Sequence, residues 1–261
     1  MNILLTNDDG IQADGLWALY HRLSKKHRVS VIAPDRERSA VGHGITLHEP
    51  LRAEEVRING CTGYAVNGTP ADCVKFGLLE LLSERPALVI SGINAGANVG
   101  ILINYSGTVA AAKEAAVYGI NAVAVSIPTR GRAPLYYEDA AGFAEHMSNL
   151  VLKNGLPAGT FLNVNILNQA GKNIRGIRIR RQDTSTVHEY FEKRTDPHNR
   201  PYYWPRFEPG APAERMDADQ SALYDNHITI TPIKCDMTDY TMLRDLEAWD
   251  IGKGPGDNAN V

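Results

Sequence analysis

The chain has 261 residues, 43% of them hydrophobic and 22% charged, with a formal net charge of −3. That is a globular composition, long enough for one large α/β domain or for one domain with an appendage. The slightly acidic balance gives no support to nucleic-acid polymer binding, and no apolar run approaches the ~20 residues of a membrane span.

No basic-then-apolar leader precedes the first predicted strand. The three cysteines, Cys61, Cys73 and Cys235, are far apart and lack metal-type spacing, so they are expected as reduced, half-buried thiols of a cytoplasmic protein. Residues 2–6 are uncharged and carry Ile3, Leu4 and Leu5 in succession, the pattern of a parallel strand buried on both faces. The run ends in Asn7-Asp8-Asp9-Gly10. In open α/β sheets the carboxyl edge of the strands is where ligands bind. Adjacent carboxylates there raise each other's pKa and resist burial, and a hard cation relieves both costs. Taken alone, the stretch also fits a solvated Asp-Gly turn.

Residues 14–25 place Leu16, Leu19, Tyr20 and Leu23 on one helical face, with Asp14 as N-cap. A second strand is predicted at 29–33, followed by the polar loop 35–44. Short strands at 45–47, within 51–58, and at 64–66 suggest a smaller ribbon beside the main sheet. Asn67-Gly68-Thr69-Pro70-Ala71-Asp72 is a helix start: Thr69 caps, Pro70 takes the first turn and Asp72 closes a capping box. The helix after it turns Val74, Leu78, Leu81 and Leu82 to the core. A strand at 87–90, a glycine-rich loop at 91–107 and an alanine-rich helix at 108–118 follow. A strand at 122–126, a helix at 136–152 and a strand at 161–166 continue the alternation. The order predicts an α/β fold, a doubly wound, mostly parallel Rossmann-like sheet with a small β appendage.

From about residue 177 the pattern changes to arginines (Arg178, Arg180, Arg181) and then stranded aromatics, Tyr190, Phe191, Tyr202, Tyr203, Trp204 and Phe207. Nothing local could bury them, so a hairpin packed on another subunit is preferred over a flap across a site. Residues 227–233 return to a strand pattern, and 241–249 put Met242, Leu243, Leu246 and Trp249 along one helical side. Residues 252–261, rich in Gly and Asn, are expected to be disordered. The chain thus divides into a catalytic domain over 1–180 completed by the strand 227–233, an oligomerisation hairpin over 181–226, and a C-terminal helix and tail over 234–261.

Three predicted loops leave the carboxyl ends of parallel strands. They bring Asp8 and Asp9, then Ser39, then Asn94 within SGINAGANVG. These are all oxygen donors, which suits Mg²⁺, Mn²⁺ or Ca²⁺ and argues against zinc. Ser106-Gly107-Thr108 opens the alanine-rich helix, where backbone N–H groups and hydroxyls make a phosphate seat, with Asn94 and Asn98 as further ligands of the phosphoryl group. Singly, each of these residues has an ordinary role as a cap or loop residue, and His43 near Ser39 is more often a packing residue than a general acid. Jointly they suit phosphoryl hydrolysis.

NILLTNDDGI, APDRERSAVGHGIT, NGTPADCVK, SGINAGANVG and YSGTVAAAKEA, in that order, resemble the successive signatures of the SurE family of metal-dependent nucleotidases. The resemblance implies one divalent ion per subunit, Mg²⁺ or Mn²⁺, held by Asp8, Asp9, Ser39 and Asn94. It implies hydrolysis of nucleoside 5′- or 3′-monophosphates, in some members also of short polyphosphate. It further implies homodimers or homotetramers that exchange the hairpin at 188–207 and the terminal helix. The family commonly has an acidic residue where this chain has Leu102 and a glycine where it has Ala115. The expected mechanism is in-line attack by a metal-activated water with Asp8 or Asp9 as base, and an aspartyl-phosphate is its alternative. A receiver domain would need an acceptor Asp where Ser91 and Asn94 stand. A dinucleotide-binding oxidoreductase would need G-x-G-x-x-G after the first strand, and the glycines here are four apart. A non-catalytic nucleotide-binding or assembly protein of the same fold is the remaining alternative.

Overall fold

The computed structural model describes residues 1–129, 134–168, 174–185, 188–208 and 217–249. In chain order its elements are β1 (Asn2–Thr6), α1 (Asp14–Leu23), β2 (Arg28–Pro34), β3 (Ala53–Ile58), β4 (Cys61–Val66), α2 (Pro70–Phe76), β5 (Leu88–Ala95) and α3 (Gly107–Val117). There follow β6 (Asn121–Ile127), α4 (Tyr137–Asn154), β7 (Thr160–Asn165), β8 (Gly176–Ile179), β9 (His188–Thr195), β10 (Pro201–Glu208), α5 (Asp219–Tyr224), β11 (His227–Lys234) and α6 (Tyr240–Glu247). Nine strands form one sheet in the order β3-β4-β2-β1-β5-β6-β7-β11-β8, while β9 and β10 pair apart from it as an antiparallel hairpin. From β4 through β7 the pairing is parallel; β3 runs antiparallel to β4, and β11 antiparallel to β7. No helix among the described residues is long and apolar enough to cross a membrane.

The strand period of two explains why β1 is apolar throughout. Ile3 and Leu5 face one layer, packed with Leu16, Leu19 and Leu23 of α1 and with Ala140, Ala144 and Val151 of α4. Leu4 faces the other layer, with Val74 of α2 and Ala111, Ala112 and Ala115 of α3. All three strand residues are fully buried, which is worth roughly 1.5–3 kcal/mol for each large side chain. The alanines let α3 lie close on the sheet, so its N-terminus reaches the carboxyl edge beside the end of β1.

Several local expectations are corrected. Residues 45–47 form no strand, because the N–H and hydroxyl of Thr46 are taken by the Asp72 carboxylate, the hydroxyl at 2.6 Å. The β3–β4 ribbon does not lie beside the main sheet; it extends it through β4–β2 pairing. Asp14 is the first helical residue and Ala13 the N-cap, without a side-chain cap bond. The capping box at Thr69 and Asp72 forms as expected, but the α-helix ends at Phe76 and passes into a wide π turn over Gly77–Leu81. Cys73 is fully buried rather than half-buried. β5 runs on through Ala95 where a loop was expected from Ser91, with a bulge between Ser91 and Asn94. A β-carbon at Gly92 would lie 2.3 Å from the Val125 carbonyl oxygen, so the glycine that suggests a loop permits close strand contact instead.

Of the hairpin aromatics, Tyr190, Phe191, Tyr202, Tyr203 and Trp204 are exposed, Phe191 at 71% and Trp204 at 53%. Helix α6 has no buried residue and ends before Trp249. The tail expected to be disordered lies outside the described residues.

Candidate active site

The turn after β1 is built by its own side chains. Asn7 donates from Nδ2 to the Gly10 carbonyl at 2.9 Å and accepts the Gly10 N–H at 3.2 Å. Gly10 has φ +95°, and a β-carbon there would lie 2.9 Å from the backbone of Arg36, so the 35–39 loop rests directly on this turn. The Arg38 N–H donates to the Asp8 carbonyl at 2.7 Å, and the Ile11 N–H to the Pro34 carbonyl at 2.8 Å. Ser39 therefore follows a residue bonded to Asp8. On the other side, the Ala95 N–H donates to Asp9 Oδ2 at 3.3 Å, which seats the end of β5, and with it Asn94, against Asp9. Asn94 donates from Nδ2 to the Gly96 carbonyl at 2.8 Å, leaving its amide oxygen as the unused acceptor.

Asp8 is buried against the start of α3. Its Oδ1 accepts the Thr108 hydroxyl at 2.5 Å, and a β-carbon at Gly107 would come within 2.8 Å of the Asp8 β-carbon. Only glycine allows this approach. Ser106 is the N-cap, its Oγ accepting the Val109 N–H at 3.1 Å. Burial raises the Asp8 pKa, with the Thr108 hydroxyl and N–H opposing the rise. Asp9 is pushed up to about 6, by burial first and by the Asp8 charge second. Glu37 adds repulsion to both, and accepts the Ser39 hydroxyl at 2.5 Å. The Tyr137 hydroxyl is pushed up to about 12 by its own burial and then by Asp9 and Asp14. Its ring stands within 2.8 Å of where a Gly15 β-carbon would lie.

Two carboxylates with raised affinity for protons, a hydroxyl and an amide oxygen are hard donors of the type a divalent cation takes. Among the described residues no group of three or more His, Cys, Asp or Glu side chains is arranged to hold a metal.

Asn98 is placed as a loop anchor. Its Nδ2 donates to Ser126 Oγ at 2.8 Å, its N–H donates to Asn165 Oδ1 at 2.8 Å, and its carbonyl accepts from both Asn163 and Asn165. Leu102 is 36% exposed within the short 3-10 helix Gly100–Asn104. His43 is paired at 2.7 Å with Glu114, a buried carboxylate on α3. Sequence reasoning missed Glu37, Tyr137 and Glu114. Glu37 could have been suspected from its place two residues before Ser39, whereas nothing local marks Tyr137 or Glu114.

The sequence profile of the family described as Survival protein SurE matches residues 3–189. A curated relative named 5′-nucleotidase SurE, from Desulfatibacillum aliphaticivorans, is 52% identical, with 97% of this chain and 100% of that protein covered. One of the same name from Syntrophobacter fumaroxidans is 44% identical, covering 96% of this chain and 100% of that protein. The crystal structure of the SurE protein from Aquifex aeolicus superposes with a TM-score of 0.83 at 36% identity, covering 95% of this chain and 99% of that one. With the family profile and near-complete relatives in agreement, the chain belongs to the SurE family.

Proposed function

We propose that the chain is a divalent-metal-dependent 5′-nucleotidase, a phosphomonoesterase that releases phosphate from nucleoside 5′-monophosphates, with 3′-monophosphates and short polyphosphate as further substrates. The observation that carries this reading is the contact of the buried Asp8 carboxylate, beside Asp9, with the N-terminus of α3. An acidic pair next to a helix start joins a cation seat to an anion seat, which is what phosphoryl transfer uses. The names of the relatives support it.

Asp8, Asp9, Ser39 and Asn94 would hold one Mg²⁺ or Mn²⁺. Bound there, the ion supplies charge neutralisation and Lewis-acid polarisation of a phosphoryl oxygen. Ser106 and Gly107 would hold the remaining phosphoryl oxygens at the helix start, while Thr108, expected there too, gives its hydroxyl and N–H to Asp8 and positions that carboxylate instead, with Asn94 and Asn98 fixing the facing loop. Asp8 Oδ1 is engaged by Thr108 and Asp9 Oδ2 by Ala95, which leaves Asp9 Oδ1 to take the proton of the attacking water. Fixed positioning carries much of the rate in such a site.

The exposed hairpin aromatics and the uncovered α6 support a homodimer or homotetramer built through residues 188–207 and the C-terminal helix. The free thiols Cys61, Cys73 and Cys235 suit the reducing cytoplasm. Phosphate release from a panel of nucleoside monophosphates, with Mg²⁺, Mn²⁺ or chelator, tests the function. Turnover that chelation abolishes is expected; binding of nucleotides without phosphate release under every metal would overturn it.

A further inference from the structure

Gly100 has φ +58° in the loop between β5 and α3, and both of its backbone polar groups are gripped by side chains from far along the chain. Its N–H donates to the Asp219 carboxylate, at 3.1 Å to Oδ2 and 3.3 Å to Oδ1. Its carbonyl accepts from Gln182 Nε2 at 2.9 Å. Asp219 is wholly buried, and its Oδ1 also accepts the N–H groups of Asp183 at 3.0 Å and Gln220 at 2.8 Å. One carboxylate thus ties three segments: the site loop, the stretch leading toward β9, and the first turn of α5. A β-carbon at Gly100 would lie 3.3 Å from Gln220 Oε1 and 3.4 Å from the Asp183 carbonyl oxygen, so the clasp fits closely around glycine. Residues 96–105 contain no charged side chain of their own, and Leu102 contributes none. The carboxylate that fixes this loop comes from outside it.

We propose that Asp219 and Gln182 are positioning residues that lock the 96–105 loop from the base of the β9–β10 hairpin and thereby set the affinity of the site for its phosphorylated substrate. At one end of the loop Asn98 is anchored on Asn163 and Asn165. The Gly100 clasp holds the following turn, which leads into Ser106. Without it, residues 100–105 must be ordered by the substrate, and that ordering is subtracted from binding.

This inference rests on the reading of residues 94–108 as the phosphoryl-holding side of the site. Two full-length variants test it: Gln182→Ala, at a partly exposed position, and Asp219→Asn, which keeps the shape but puts N–H donors opposite one another. KM for a nucleoside monophosphate rises about tenfold in Asp219→Asn, the size of a lost hydrogen bond to a charged group, and about threefold in Gln182→Ala, which loses a neutral one, with kcat held within about twofold in both. Mn²⁺ affinity, read by calorimetry, stays at the wild-type value, and amide hydrogen exchange at residues 98–105 accelerates. An unchanged KM in both folded variants overturns the proposal, as does unchanged exchange. If the wild-type chain turns over no nucleotide, the nucleotidase reading fails by itself, and accelerated exchange in the variants still supports the clasp.

Discussion

The carboxyl edge of the sheet and the projecting β9–β10 hairpin are unfinished in opposite ways. At the edge, polar groups are buried and over-supplied with negative charge: Asp8 and Asp9 are shifted toward protonation by burial, and Glu37 adds to the repulsion. At the hairpin, apolar groups are left in water, with Phe191, Tyr203 and Trp204 each more than half exposed. The first region has bound its backbone tightly, through Asn7, Arg38, Ala95 and Thr108, around a charge it has not neutralised. The second pairs its two strands only with each other, and its described aromatics are left exposed. On the proposed function, a cation would complete the one and a second protein surface the other. Losing a partner therefore has a different signature in each region, chemical at the edge and concentration-dependent at the hairpin.

The largest expected effect is at the edge. Asp8→Asn lowers phosphate release by at least about a thousandfold, the scale of losing a preorganised electrostatic element, while leaving the oligomer intact by sedimentation. Next is the hairpin. The double change Phe191→Ser with Trp204→Ser weakens self-association by about 30-fold for each lost anchor, read by dilution in sedimentation velocity, with the metal site unaltered. A smaller effect follows from Asp9. Its folded pKa of about 6 stands above the ordinary 3.8, so the folded chain holds that proton more tightly than the unfolded one. The resulting stabilisation is present at low pH and is lost as pH rises through about 6. Melting of the metal-free chain should fall over that window relative to Asp9→Asn, and Mn²⁺ should restore it above the window. The smallest concerns neither region. Glu145 accepts from Arg22 at 2.6 Å and Lys26 at 2.9 Å, and these partners hold its pKa low. Glu145→Gln should cost at most about 1 kcal/mol in denaturant melts, because both partners are largely solvated. That cost is present at neutral pH and disappears as the medium is acidified below the ordinary glutamate range.

The order of strands and helices was legible because the sheet is covered on both faces. Ile3, Leu4 and Leu5 must all be apolar when α1 and α4 lie on one side and α2 and α3 on the other. Asp8 and Asp9 were legible because adjacent carboxylates at the end of such a strand are costly. The Thr69 and Asp72 cap was legible because it is a local motif. What escaped depends on distant partners. Residues 45–47 have strand composition, yet Asp72 takes the Thr46 N–H that a ladder would need. Gly92 resembles a loop glycine until the Val125 carbonyl is seen against it. Tyr137 comes beside Asp9 only through the packing of α4 on α1, and Asp219 reaches Gly100 across 119 residues. No spacing in the sequence marks either encounter.

The central proposal is that Asp8 and Asp9, completed by Ser39 and Asn94, take a single divalent cation. Titrating Mn²⁺ into the metal-free chain and its Asp8→Asn variant by isothermal calorimetry tests it most directly. One ion bound per wild-type chain is expected, with that binding lost in the variant. Equal Mn²⁺ binding by both proteins, or none by the wild type, would contradict it.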